Sequence, residues 1–221
     1  MRSIIALFLL VLLVSCATVP LPEPSVENRI SDIYLSRKFH PKLLETDGIA
    51  FLPLPVKKAP EGIRNNAIFE IQQVLHVYFP KARIVKKDEM VTSMINAGMD
   101  RELNRLVKDL SENKTPDRTI LTKIGEIGKV RFLFYTEIKT YEKNSTNSEV
   151  IKEVVMEAEI LDIRCTDLLA WKGAGSTRVV EDKGIDKIRM EEIFVSATKN
   201  LVSSMPVGNK AGNIEDVKGC A

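Results

Sequence analysis

Three cysteines and two histidines are the side chains here best suited to nucleophilic, metal or redox chemistry, and their spacing decides among those uses. His40 and His76 lie 36 residues apart. That is neither the i, i+4 spacing of a helical metal site nor a base beside a nucleophile. Cys165 and Cys220 have no neighbouring histidine to activate a thiolate. In an oxidising compartment they can pair and pin the C-terminal tail to the domain, or they stay separate, one buried and one on a frayed end. Glu153, Glu157 and Glu159 share one face of a strand. Paired carboxylates can do acid/base work, but solvated strand faces are commonly acidic. H-E-x-x-H, G-x-S-x-G and G-x-x-x-x-G-K-[ST] are all absent, and Gly125-Glu126-Ile127-Gly128 lacks the glycine spacing of a phosphate loop. The expectation is a protein that is not an enzyme, with no catalytic, cofactor-binding or metal residues and no cofactor.

Cys16 carries a different chemistry. Met1-Arg2-Ser3 is a short basic segment, and Ile4 to Val14 follow it as eleven apolar residues without a charge. A bilayer-spanning helix needs about 20 such residues, so this stretch fits the core of a signal peptide. Leu13-Val14-Ser15-Cys16 resembles the bacterial lipobox, in which the cysteine takes a thioether-linked diacylglycerol and the chain is cut before it. Small residues at Ser15 and Ala17 let the backbone enter a peptidase cleft, and only a thiol at position 16 can take the lipid. Each buried CH₂ contributes about 0.8 kcal/mol, so several acyl chains make a permanent anchor. In the resemblance to enteric lipoproteins, Ala17 in place of Asp implies the outer membrane, with the domain on its periplasmic face.

The elements that must carry these residues are legible from periodicity. Residues 1–15 read as the signal peptide, 16–28 as the lipidated cysteine and a Pro-rich tether, 29–46 as an N-terminal arm, 47–205 as one domain, and 206–221 as a loose tail. Removing residues 1–15 from the 221 leaves 206, enough for a single sizeable core. A formal charge of +2 over the whole chain suggests no polyanion-binding surface, so nucleic acid is not an expected partner. Gly48 to Leu54 is a nearly continuous apolar run, as in a strand buried on both faces. Ile63, Ala67, Ile68, Ile71, Val74, Leu75 and Tyr78 recur at helical spacing, and Arg83-Ile84-Val85 gives a short strand. Asp88 is placed to cap a helix, helical periodicity continues through Leu103 to Leu110, and Thr115-Pro116-Asp117 opens another helix that Gly128 ends. Period-two alternation then predicts two antiparallel strands, Arg131 to Lys139 and Val150 to Ile160. Leu168 to Trp171 reads as an edge strand, and Met190 to Val202 as a closing amphipathic helix.

The resulting order is β-α-β-α-α-β-β-β-α, an α/β (α+β) fold with helices packed on a mixed sheet. The runs Gly48 to Leu54, Ile124 to Tyr135, Val154 to Asp162 and Leu169 to Gly173, in this spacing, resemble one superfamily of envelope proteins. It includes the curli-secretion lipoprotein CsgG, the penicillin-binding-protein activator LpoB and the N-terminal domain of TolB. The resemblance covers residues 47–205. In that family the turn after the long strand reads Asp-x-x-Thr-Gly, whereas here it is Asp162 to Asp167, with Asp167 at the glycine position and able to enter the left-handed region. The family shares no active site, so no catalytic residue carries over.

These readings lead to an outer-membrane lipoprotein whose domain binds an envelope protein partner in the periplasm. A homo-oligomeric secretion pore of the curli type is the alternative, and an envelope enzyme the third. A pore strand needs a lipid-facing apolar row, whereas residues 137–153 carry Glu137, Lys139, Glu142, Lys143, Lys152 and Glu153. Trp171 is the only tryptophan. If it shares a face with Leu169, the two either complete the core or form a docking surface.

Overall fold

The structure, a computed structural model, describes residues 23–55, 60–184 and 187–205. The signal peptide, Cys16 and the tail from 206 with Cys220 lie outside the described residues. Phe132–Ser145 (β4), Glu149–Asp162 (β5) and Leu169–Asp182 (β6) are three antiparallel strands of 14 residues each. Buried and half-buried positions alternate along β5 and β6, as a sheet covered more fully on one face requires. Ile49–Phe51 (β2) and Ile84–Val85 (β3) extend the sheet in parallel beyond β4, and Ser25–Leu35 (β1) pairs antiparallel with β6. The order across the six strands is β1-β6-β5-β4-β2-β3.

The helices are Leu43–Asp47 (α1), Glu61–Tyr78 (α2), Lys87–Asn96 (α3), Asp100–Ser111 (α4), Arg118–Gly128 (α5) and Met190–Ser203 (α6). One sheet face packs Phe134, Met156, Ile160 and Trp171 against Ile68, Ile71 and Leu75 of α2 and Phe194, Ala197 and Leu201 of α6. On the other face Ala50, Leu52, Leu133 and Leu161 meet Met90 and Met94 of α3, Leu103 and Leu106 of α4, and Leu121 and Ile124 of α5. Away from these three helices, Ile151, Glu153 and Val155 of β5 and Ser176, Arg178 and Val180 of β6 stay partly exposed.

The architecture is the expected mixed α/β sheet, and several local readings are corrected. Ser25–Leu35 is neither tether nor arm but an edge strand. Both its faces are exposed, which gives it no apolar period to read. β6 is not a short edge but a long interior strand. Gly173 and Gly175 interrupt its hydrophobic pattern because neighbours fill their space. A Cβ on Gly173 would lie 2.3 Å from the Trp171 ring, and one on Gly175 would lie 2.0 Å from the Leu201 backbone nitrogen in α6. Asp117, not Thr115, caps α5, accepting from the Thr119 N–H at 2.8 Å. Lys129 rather than Gly128 takes the left-handed exit at φ 51°, while Gly128 makes room for Met90. Asp167 stays out of the positive-φ region.

Ion pairs centred on Arg131 and on Lys152 are closed inside the domain. Arg131 reaches Asp162 through Nε–Oδ1 at 2.8 Å and Nη2–Oδ2 at 2.7 Å, and Asp47 at 3.0 Å. This joins the start of β4 to the end of β5 and to α1. Lys152 Nζ lies 2.5 Å from Glu181 Oε2 and also donates to the Ile188 carbonyl. Glu181 in turn accepts from the backbone N–H groups of Lys187 at 3.1 Å and Ile188 at 3.0 Å, fastening the approach to α6 onto β6.

Candidate docking groove

Of the residues singled out from sequence, Cys16 and Cys220 lie outside the described residues. Cys165 is buried and disulfide-bonded, with its Sγ 3.0 Å from Asp162 Oδ2, whereas Cys220 lies outside the described residues. Trp171 is fully buried and belongs to the core rather than to a docking surface. Nor does it share a face with Leu169. A bulge between Ile160 and Leu161 sets Ile160 opposite Trp171 and Leu161 opposite Leu169, and Leu169 packs on the other face of the sheet. His76 lines the groove described below, of which His40 is no part, and His40 accepts the Lys42 N–H on Nδ1 at 3.2 Å.

On the acidic strand face Glu157 and Glu159 are held in ion pairs. Lys172 Nζ sits 3.2 Å from Glu157 and 2.9 Å from Glu159, and Lys139 Nζ sits 2.5 Å from Glu137 and 3.8 Å from Glu157. Burial pulls the Lys172 ammonium toward neutrality, but Glu159 and Glu157 outweigh that and hold its pKa above the usual lysine range. Carboxylates partnered by lysines in this way form a cross-strand ladder. In the β4–β5 hairpin, Lys152 points into the domain, and Glu142, Lys143 and Glu149 are exposed. Among the described residues no helix is long and apolar enough to cross a membrane, and no group of three or more His, Cys, Asp or Glu residues is placed to hold a metal.

What sequence reasoning missed is a groove of about 770 Å³ between α2 and the β3 edge of the sheet. The helical wall presents Asn65, Phe69, Gln72, Gln73 and His76, which fall on one stripe at spacings of three and four. The opposite wall is Ala82 and Ile84, with Lys86, Lys87 and Asp88 where α3 begins. Lys87 Nζ donates to Asn65 Oδ1 at 2.8 Å and ties the two walls together. Lys87 also pairs with Asp88 at 3.2 Å, and Lys86 and the positive end of the α3 dipole add positive potential at this mouth.

Two features mark the groove as unfinished. Phe69 is 56% exposed on its rim, whereas Gln72 is only 9% exposed and its Nε2 has no hydrogen-bond partner. A buried donor without an acceptor costs about 1–3 kcal/mol. An incoming carbonyl or carboxylate would satisfy it. Donor amides, two lysines, an exposed aromatic ring and an adjacent edge strand suit an extended peptide bearing acidic groups. The legible signal was Gln72 itself, a polar residue in the inward stripe of Ile68, Ile71 and Leu75.

No protein-family model and no curated protein matches the sequence. Among solved structures the chain is similar to lipoprotein GNA1162 from Neisseria meningitidis, with 15% identity, 71% of this chain and 98% of that one covered, and a TM-score of 0.45. It is also similar to the PelC dodecamer from Paraburkholderia phytofirmans, with 12% identity, 84% and 100% covered, and a TM-score of 0.41. The LpoB C-terminal domain from Salmonella enterica matches at 11% identity, over 62% of this chain and 94% of that one, with a TM-score of 0.36. These likenesses are of fold alone.

Proposed function

We propose that this chain is a lipid-anchored protein of the cell envelope that docks a protein partner in the groove between α2 and β3 and does no chemistry of its own. The observation that carries the reading is the orphan donor of Gln72, buried in a groove rimmed by exposed Phe69 and two lysines. The partner segment is read as extended. It would place a main-chain carbonyl or an acidic side chain against Gln72 and Lys86, and an apolar side chain on Phe69. The anchor is Cys16, and the outer membrane with a periplasm-facing domain is the location its flanking residues favour.

Photo-crosslinking tests this reading on the full-length chain in its native membrane. A photoreactive phenylalanine at position 69 is expected to give one dominant adduct of defined mass, and the same residue at exposed position 108 on α4 is not. A ladder of adducts equal at both positions would refute a specific groove.

A further inference from the structure

The opposite edge of the sheet is β1. β1 is eleven residues long, contains no lysine or proline, exposes Val26 at 49% and Ile30 at 54%, and keeps its charges to Glu27, Arg29 and Asp32, with a bulge only between Asp32 and Tyr34. Among the described residues no strand pairs with its outer side. Long apolar edges are ordinarily blunted by charge, proline or cover, because their free N–H and C=O groups recruit another strand.

The order of residues along β1 says which strand fits. Val26 pairs with Val179 and Ile30 with Gly175, on the side that α6 covers, whereas Glu27 pairs with Arg178 and Arg29 with Ser176, on the other side. Glu27 and Arg29 thus share a face, and their side chains already meet at 3.3 Å while remaining 49% and 75% exposed. The sequence around Asn28 is self-complementary under a two-fold axis. In an antiparallel pairing centred on Asn28, Val26 lies opposite Ile30 of the second copy and Glu27 opposite Arg29 of the second copy. Ser25 then lies opposite Ser31 of the second copy. Over residues 25–31 each apolar residue meets an apolar one and each charge its opposite, on matching faces and at the roughly 4.5–5.5 Å Cβ spacing of cross-strand neighbours, while Asp32 to Leu35 lie beyond the match.

We infer that the occupant of the β1 edge is a second copy of this chain, so that two sheets join through their β1 strands into one continuous sheet about a two-fold axis. The contact is isologous and closes at two copies. It leaves the groove beside β3 free, because that groove lies at the far edge of each sheet.

Charge reversal decides it. The full-length lipidated protein in detergent micelles is examined by native mass spectrometry over a range of concentrations, as wild type, Glu27→Arg, Arg29→Glu and the double variant. The wild type is expected to be a dimer. Each single reversal sets two like-charge pairs across the axis and is expected to weaken the dimer about tenfold, with the double variant restoring it. The reversed side chains are exposed, and an unchanged unfolding midpoint in each single variant shows that the fold is intact. A monomer at every concentration would leave the edge to another protein's strand and overturn the inference. So would an assembly larger than two, a dimer indifferent to the single reversals, or a double variant that is not rescued.

Discussion

Gln72 sits where an apolar residue would stabilise the domain more, among Ala67, Ile68, Ile71 and Leu75 on the buried side of α2. Gln72→Leu removes the unpartnered donor, and the unfolding midpoint in urea is expected to hold or rise, by up to about 1–3 kcal/mol of stability. A clear fall would mean that the amide is satisfied in the free protein. Trp171 obeys the opposite logic, being fully buried. Trp171→Ala is expected to cost about 3–5 kcal/mol, and the indole of the wild type should emit in the blue and resist iodide quenching. The Lys152–Glu181 pair makes stability depend on pH. Burial pushes the Glu181 carboxyl up, but the Lys152 ammonium and the Ile188 and Lys187 N–H groups outweigh it and hold the pKa below the usual carboxylate range. A depressed folded-state pKa gives stability that is complete above the unfolded value of about 4.3 and is lost as pH falls through the folded value. Glu181→Gln is expected to lower the urea midpoint at neutral pH, with the gap to wild type closing in that acid range. A gap constant down to pH 2 would rule out this linkage.

At the scale of elements, β6 shows how packing can hide a strand. Gly175 reads as a strand breaker until α6 is in place, with the Leu201 backbone where a side chain would stand. Gly175→Ala is therefore expected to lift α6 and cost about 1–3 kcal/mol, measured as a lower urea midpoint, and a neutral effect would show that α6 is not held this closely. The same reasoning separates what was legible in the sequence from what was not. α6 buries one face and β5 alternates buried with half-buried positions over most of its length, so their periods of 3.6 and two could be read directly, whereas β4 is buried on both faces from Phe132 to Thr136. β1 buries neither face and follows proline-rich residues, so it read as tether and arm. The bulge at Ile160 and Leu161 moved Trp171 and Leu169 to opposite faces, a shift that alternation alone does not reveal. The groove was least legible of all. Its walls come from α2 and from residues 82–88, and only Gln72 and the Lys86-Lys87 pair announce it locally.

Over the whole molecule, the two edges of one sheet would take two proposed partners, a second copy at β1 and an envelope protein at β3, and a lipid on Cys16 would hold the assembly at a membrane. Intact mass of the mature chain tests the anchor. A terminus beginning at an acylated Cys16 is expected, and Cys16→Ser should leave the protein uncleaved or release it from the membrane, whereas an unmodified terminus elsewhere would remove the anchor. The central claim is that the groove beside α2 is where the partner docks, and its most direct test is the yield of the crosslink from position 69 in the native membrane, with Gln72 intact and with Gln72→Leu. The expected result is an adduct that falls at least about tenfold in Gln72→Leu while the amount and stability of the protein hold. An equal yield of the same adduct from both proteins would contradict it.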